Sequence, residues 1–443
     1  MRKILYILAL LLLITRPGVT LAGQAMTLTV DECVDIGIEN SHKLHSSMME
    51  VQSAKSKSAE ARSYQLPTVS ARASYAKLSE VPPFIVTLPP NPIFDGQFTL
   101  SPTVTSSHSL DLYVTQPLFT GFRLSSGLRA AERSADATEF DYTADSSDLS
   151  FDIRVAYWNL YKAIELRKAA AENVTLVEAH LRDTQNFLDK GLLTRNELLK
   201  VQTQLSQSRL MLLETENSVR LAQIGLNSTI GLPLSTEVVL ASEAIGTDGE
   251  AGNLDSLKRV GLTARPELQA LRHRIRAGEA AVTMARSGFY PQVMLSGNYN
   301  YSKPNPRILP TRDQWDDSWS VGVAVSYDIW NWGRTYHQAS QAKAQLNMAK
   351  DAMAQLKDAV EFEITADYLS LLKANEAVKV ASDGVAQADE SLRITRSKFD
   401  AGVASTTDLL DTEVALFNAR TSYTHAIVDR QLAQARLRSA VGD

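Results

Sequence analysis

The sequence predicts a mainly α-helical chain that also carries membrane β-strands, the whole unit being written twice. Three observations lead there. DKGLLTRNELLK (189–200) and DAGVASTTDLLD (400–411) are two versions of one phrase. Their offset of 211 holds on either side, where PLFTGFR (117–123) falls on DIWNWGR (328–334) and NSTIG (227–231) on RSAVG (438–442). Two stretches, Leu124 to Leu188 and Thr335 to Phe399, contain no Pro and a single Gly each. At ~1.5 Å per residue, about 65 residues make ~100 Å of helix. Between the helices, short segments alternate their side chains with a period of two.

The chain opens with the basic MRK, the apolar ILYILALLLLI and then Thr20-Leu21-Ala22. This reads as a secretory signal peptide over 1–22, with cleavage possible as late as residue 25. No Cys follows LAG, so a lipoprotein anchor is not expected, and the single Cys33 predicts no internal disulfide. A first copy then spans 23–231, a connection 232–253 and a second copy 254–443. Thr29-x-x-Glu32 is a capping box that opens a helix to about Tyr64; its counterpart runs from about Leu254 to Ser287. ARSYQLPTVSARASY (61–75) matches ARSGFYPQVMLSGNY (285–299) at offset 224 rather than 211, an insertion of 13 residues between 75 and 117. There SEVPPFIVTLPPNPIFDGQ predicts a long exposed loop.

In the second copy Trp319, Val321, Val323, Val325 and Tyr327 alternate with Ser320, Gly322, Ala324 and Ser326. Weaker alternation marks Val69 to Tyr75, Leu110 to Val114 and Val293 to Tyr299, so strands are predicted at about 66–76, 107–119, 291–302 and 317–329. One apolar face, a length of about ten residues and aromatics near the ends match a membrane barrel strand. A half-buried soluble sheet is the alternative that the same pattern allows. After the signal no apolar run reaches the roughly 18 to 20 residues of a membrane helix, so any spanning must use strands. Four strands cannot close a barrel, and edges left open in lipid cost several kcal/mol per unpaired group. Other copies must complete it, by cyclic assembly.

Each long helix ends at a tip, 189–195 or 400–406, and returns from Thr194 to Ile230 or from Ser405 to Val441. Gly191 and Gly402 stand where a left-handed cap ends a helix, Thr194 and Ser405 where a side chain N-caps the next, and Glu197 and Asp408 at its third position. Helices this long must lie beside other long helices, and Ala415, Ala419, Ala426, Ala433 and Ala435 allow close packing. Helices alone leave a soluble antiparallel coiled coil as the alternative. Asp408 and Asp411 share a helix face, whereas the first tip has Lys200 where the second has Asp411. Repeated around an axis with that face inward, the pair predicts two stacked acidic rings that favour cations, some of whose carboxyls titrate above the ordinary Asp value near 3.9; the alternatives are a helix-starting cap for Asp408 and a solvated helix face for Asp411.

Catalytic chemistry is not signalled. The seven His are scattered, and no HExxH, CxxC or phosphate loop is present, so no enzyme activity, cofactor or metal site is expected. His42 and His45 are expected as exposed residues at a helix start. A net charge of −5 without a basic block argues against nucleic acid.

The signal, the duplicated helix-strand-strand-helix-turn-helix unit, QPLFTGFR and DIWNWGR at the strand-to-helix junctions and the two tip phrases together resemble the TolC family of outer-membrane efflux and export channels. The resemblance covers essentially the whole mature chain. It implies a homotrimer whose strands form a 12-stranded β-barrel in the outer membrane of a Gram-negative bacterium, in contact with its lipid and continued across the periplasm by an α-helical barrel. The implied function is the passive exit duct of a tripartite efflux or type I secretion system, driven by an inner-membrane pump of RND or ABC type through a periplasmic adaptor (membrane fusion) protein. Adaptor docking is expected at Gly191, Leu192, Leu193, Thr194, Gly402, Val403, Ala404 and Ser405. Asp408 and Asp411 would line the gate, with Phe399 and Glu197 packing there. Some members lock the tip with a Tyr and an Arg; the matching residues are Phe399 and Ala404, so that hydrogen-bonded lock is not expected. The chain stops at Asp443, which leaves an equatorial region to come mostly from 232–253. The competing function is a structural periplasmic coiled-coil or adhesion protein. A nutrient porin would not need the long helices.

Overall fold

The computed structural model describes residues 26–89, 96–241 and 252–442. The expected signal peptide lies outside the described residues, as do 90–95 of the inserted segment and 242–251 of the connection. In chain order the elements are β1 (Met26–Leu28), α1 (Val30–Asn40), α2 (His42–Ser63), β2 (Thr68–Lys77), β3 (Phe84–Thr87), β4 (Gln97–Ser101), β5 (Ser106–Thr120), α3 (Arg123–Asp189) and α4 (Arg195–Thr229). The second half runs β6 (Val238–Leu240), α5 (Leu254–Ala264), α6 (Pro266–Ala285), β7 (Gln292–Lys303), β8 (Asp316–Ser326), α7 (Arg334–Asp400) and α8 (Thr406–Val441). The chain divides into two compact units, one of Met1–His45, Ala144–Arg265 and Val360–Asp443, the other of Ser46–Thr143 and Pro266–Ala359.

The second of these units holds a four-stranded antiparallel sheet in the order β2-β5-β7-β8. Because side chains alternate along a strand, the register assembles continuous rows. Val69, Val114, Gly297 and Val321 form one row and Ala71, Leu112, Tyr299 and Trp319 the next, all on one face. Ser70, Tyr113, Asn298 and Ser320 lie on the opposite face. The apolar face is bare, Val321, Val323 and Val325 being 66%, 61% and 66% exposed. A contiguous aliphatic surface of this kind marks a lipid- or protein-facing site. β2 and β8 are the free edges.

The strand-to-helix junctions keep the duplication in their backbone. Gly121 and Phe122 have φ of 61° and 69°, and Trp332 and Gly333 have 54° and 77°, two consecutive left-handed residues in each copy. At Gly121 a Cβ would stand 2.5 Å from the Ser287 carbonyl oxygen, so no other residue fits.

The other unit is built from helices and one parallel strand pair, β1 with β6, in the register Met26 to Val238. Its core gathers Leu28, Cys33, Val34, Ile153, Tyr157, Leu160, Leu226, Ile230, Val238 and Val428. The Thr29 capping box is complete: Thr29 Oγ1 accepts from the Glu32 N–H at 3.2 Å, and Glu32 Oε2 accepts from the Thr29 N–H at 2.8 Å. The Thr29 N–H, and then the Thr29 hydroxyl donating to Oε2 at 3.0 Å, hold the Glu32 carboxyl below its ordinary value.

Three expectations are corrected. The helix expected from Thr29 to about Tyr64 breaks at Ser41, whose Oγ accepts from the Leu44 N–H at 3.2 Å and so starts α2. Its counterpart breaks at the equivalent Arg265, where Pro266 forces an extended ψ of 125° on the preceding residue. The inserted segment is not all loop, since β3 and β4 pair as an antiparallel hairpin. There the β-branched and aromatic content of FIVT and QFTLS outweighs the neighbouring prolines.

Candidate functional site

The two tips are built alike from their local sequence. Gly191 and Gly402 both have φ of 73°. Each hands its N–H to the third residue before it, Leu188 O at 2.8 Å and Phe399 O at 2.9 Å. The next N–H reaches one residue further back, Leu192 to Phe187 O at 2.8 Å and Val403 to Lys398 O at 2.8 Å. Such left-handed C-caps satisfy the last helical carbonyls and turn the chain within two residues. A Cβ at either glycine would meet nothing within 4 Å. Leu192 and Val403 then project from the tips, 67% and 77% exposed. Thr194 and Ser405 are exposed as well, while Leu193 and Ala404 turn inward onto the core.

The starts of the returning helices differ. Ser405 Oγ accepts from the Asp408 N–H at 3.1 Å, and Asp408 Oδ2 accepts from the Ser405 N–H at 2.9 Å and from its hydroxyl at 2.7 Å. In the first tip Thr194 Oγ1 accepts from the Glu197 N–H at 3.4 Å, but Glu197 turns to Lys200 Nζ at 3.0 Å. Lys200 Nζ also donates to Thr407 Oγ1 at 3.4 Å, which ties the first tip to the second. Asp408 and Asp411 are exposed on the face of α8 away from the buried Leu409 and Glu413. The Ser405 hydroxyl, and then its N–H, hold the Asp408 carboxyl below its ordinary value, the opposite direction from the repulsion expected within a ring.

Behind the tips Phe399 is buried with Leu392, Leu409 and Leu416, and Leu193 and Ala404 pack on the same cluster. Its ring meets those of Phe187 at 5.6 Å and His180 at 5.1 Å, both edge-on. His180 on α3 and Glu413 on α8 are 1% and 2% exposed, with Nδ1 and Oε2 3.3 Å apart, so a polar pair joins the two hairpins inside this core. Sequence reasoning missed that pair, because 233 residues separate its members and neither lies in a motif. Among the described residues no group of His, Cys, Asp and Glu is arranged to hold a metal ion.

The profile of the family described as Outer membrane efflux protein matches residues 35–232 and 261–443, one stretch in each copy. The chain is 22% identical over 317 residues to the outer membrane protein TolC of Vibrio cholerae, covering 71% of this chain and 72% of that protein. It is 23% identical over 339 residues to the alkaline protease secretion protein AprF of Pseudomonas aeruginosa, covering 76% and 70%. Its fold matches the crystal structure of the outer membrane protein VceC of Vibrio cholerae with a TM-score of 0.77 at 19% identity, over 93% of this chain and 96% of that one. The chain therefore belongs to the outer membrane efflux protein family, and it is a channel component for efflux or secretion, placed in the outer membrane of a Gram-negative bacterium and extending into the periplasm.

Proposed function

We propose that three copies close their sheets into one twelve-stranded barrel and gather their hairpins into a helical barrel, forming a passive exit duct. The observation that carries this reading is the four-stranded sheet with a bare apolar face and two open edges, β2 and β8. Alone in lipid it would leave both edges unpaired at several kcal/mol per group; a closed ring of copies removes every edge. The energy for transport then comes from an inner-membrane pump of RND or ABC type, joined through a periplasmic adaptor. Gly191, Leu192, Thr194, Gly402, Val403 and Ser405 supply the exposed docking surface, with Leu193 and Ala404 bracing it from inside. Asp408 and Asp411, exposed on one face of α8, line the periplasmic entrance as two acidic rings. Phe399 and Glu197 pack behind it.

The test has two arms. The mature protein should fractionate with the outer membrane and run as a trimer that dissociates on heating. Replacing Gly191 and Gly402 together with bulky residues should abolish export while leaving those trimers in place, since both glycines face open space. Recovery as a soluble periplasmic monomer would reinstate the coiled-coil alternative, and normal export by the double variant would remove the tips as the docking site.

A further inference from the structure

The polar face of the sheet is almost free of charge. Along β2, β5, β7 and β8 it presents mostly serines, threonines, asparagines and small residues, with Tyr113 and Met294 among them and three charged residues. Arg72 stands directly across from Asp111, which stands across from Asn300, and one row further along Asp316 faces Ser302. Arg72 and Asp111 are immediate cross-strand neighbours of opposite charge, the arrangement in which an ion pair is expected. They do not form one. Asp111 is drawn toward β7, its Oδ1 accepting from Asn300 Nδ2 at 2.7 Å and its Oδ2 from Ser109 Oγ at 2.9 Å. Asn300 is fixed in turn, its Oδ1 accepting from Ser302 Oγ at 2.6 Å. The Arg72 guanidinium lies over the Tyr113 ring instead, 6.0 Å from its centroid, and makes no ion pair among the described residues.

The two charges thus stand side by side on one wall, each with contacts of its own and no direct ion pair between them. We propose that this row is a charge filter in the lumen of the barrel. Arg72, the sole cation of the polar face, would limit how strongly that segment prefers small cations over anions. The proposal rests on the trimeric duct. Closure of three sheets places three guanidinium groups against six carboxylates, three Asp111 in the same row and three Asp316 in the next, and the two adjacent rows make one charged ring of wall. Such a ring favours cations, and it does so more when its guanidinium groups are removed. β8 offers Arg72 no further cation from across the closing edge, because its polar face consists of Asp316, Ser318, Ser320, Gly322, Ala324 and Ser326.

The test is the reversal potential of single trimers in planar bilayers across a KCl gradient, with Arg72→Ala, Arg72→Lys and Asp111→Asn. In about 0.01 M salt, where charges reach ~30 Å, Arg72→Ala should raise the cation-to-anion permeability ratio at least about twofold. Arg72→Lys should restore the original ratio, and Asp111→Asn should lower it. In about 1 M salt, where the reach falls to ~3 Å, the differences should vanish. The Arg72→Ala shift should persist when Asp408→Ala and Asp411→Ala are also present, which separates the barrel from the tips. Should Asp111→Asn fail to assemble, because Asp111 bridges two strands, the Arg72 variants alone still decide. Conducting Arg72→Ala trimers with unchanged low-salt selectivity would overturn the filter. If the unaltered protein formed no channel, the duct itself would fall, and the filter with it.

Discussion

Ser405 and Asp408 join the second tip by three hydrogen bonds, where Thr194 and Glu197 join the first by a single long side-chain bond. Losing a Ser or Thr N-cap typically costs about 1 kcal/mol of local stability. Because the Ser405 bond is reciprocal, Ser405→Ala should loosen its tip more than Thr194→Ala loosens the other. Hydrogen exchange at the amides of 406–409 and 195–198 in intact trimers measures this, and equal effects would mean that the reciprocal bond adds nothing. The same contact gives the second tip a pH response. The Asp408 carboxyl is lowered first by the Ser405 hydroxyl and then by its N–H. A carboxyl whose folded value is depressed contributes stability above its unfolded value, near 3.9 for Asp. That contribution is lost as pH falls through the lower folded value, so the protection of 406–408 relative to their intrinsic exchange rates should fall on acidification below about pH 4. The fall should be smaller in Ser405→Ala.

At the scale of elements, both copies use one glycine to bring a short helix against a long one. A Cβ at Gly37 on α1 would stand 2.4 Å from Ile153 Cδ1 on α3, and a Cβ at Gly261 on α5 would stand 2.4 Å from Ile364 Cδ1 on α7. Both isoleucines are fully buried, so neither has room to withdraw without disturbing its neighbours. Gly37→Val and Gly261→Val should each cost about 1 to 3 kcal/mol by overpacking, read as a fall in the midpoint of heat dissociation. A midpoint unchanged by either would show that the helices can separate freely there. The sheet gives a second element-scale expectation. Val323 stands across from Leu295 on the bare apolar face, and Ser320 across from Asn298 on the polar one. If the apolar face meets lipid, Val323→Lys should cost about 2 to 4 kcal/mol near the bilayer midplane while Ser320→Lys is tolerated. Denaturant unfolding in vesicles compares the two, and equal costs would reverse or remove the membrane assignment.

For the molecule as a whole, in the proposed ring of three copies the order β2-β5-β7-β8 makes β2 of one copy and β8 of the next the strands that meet. All neighbouring pairs are antiparallel, so closure at that seam is antiparallel too. A cysteine at Ala73 or Ala71, paired with one scanned along Trp319 to Val325, should therefore give oxidative crosslinks between chains. The products should stop at a covalent trimer on denaturing gels. Cys33 is fully buried and should not compete. A ladder running past three chains would indicate an open, unclosed assembly.

What the sequence determined by itself is what short-range forces decide. Capping boxes at Thr29 and Ser405, left-handed glycines at 191 and 402 and the period of two along Trp319 to Val325 each involve residues a few positions apart, so composition and spacing suffice to read them. The duplication then extended each reading to its twin. Ser41 and Pro266 were also local signals, since a Ser cap or a Pro in the first turn opens a new helix. Tertiary structure decided the contacts whose members lie far apart. β1 and β6 are three-residue strands that exist only because they pair with each other inside one core. Asp111 leaves Arg72 for Asn300 because β7 is placed beside β5. His180 reaches Glu413 across 233 residues because Phe399 and its neighbours pack two hairpins together. No periodicity in a single chain encodes such pairs, since their members meet only when register and packing bring distant segments together.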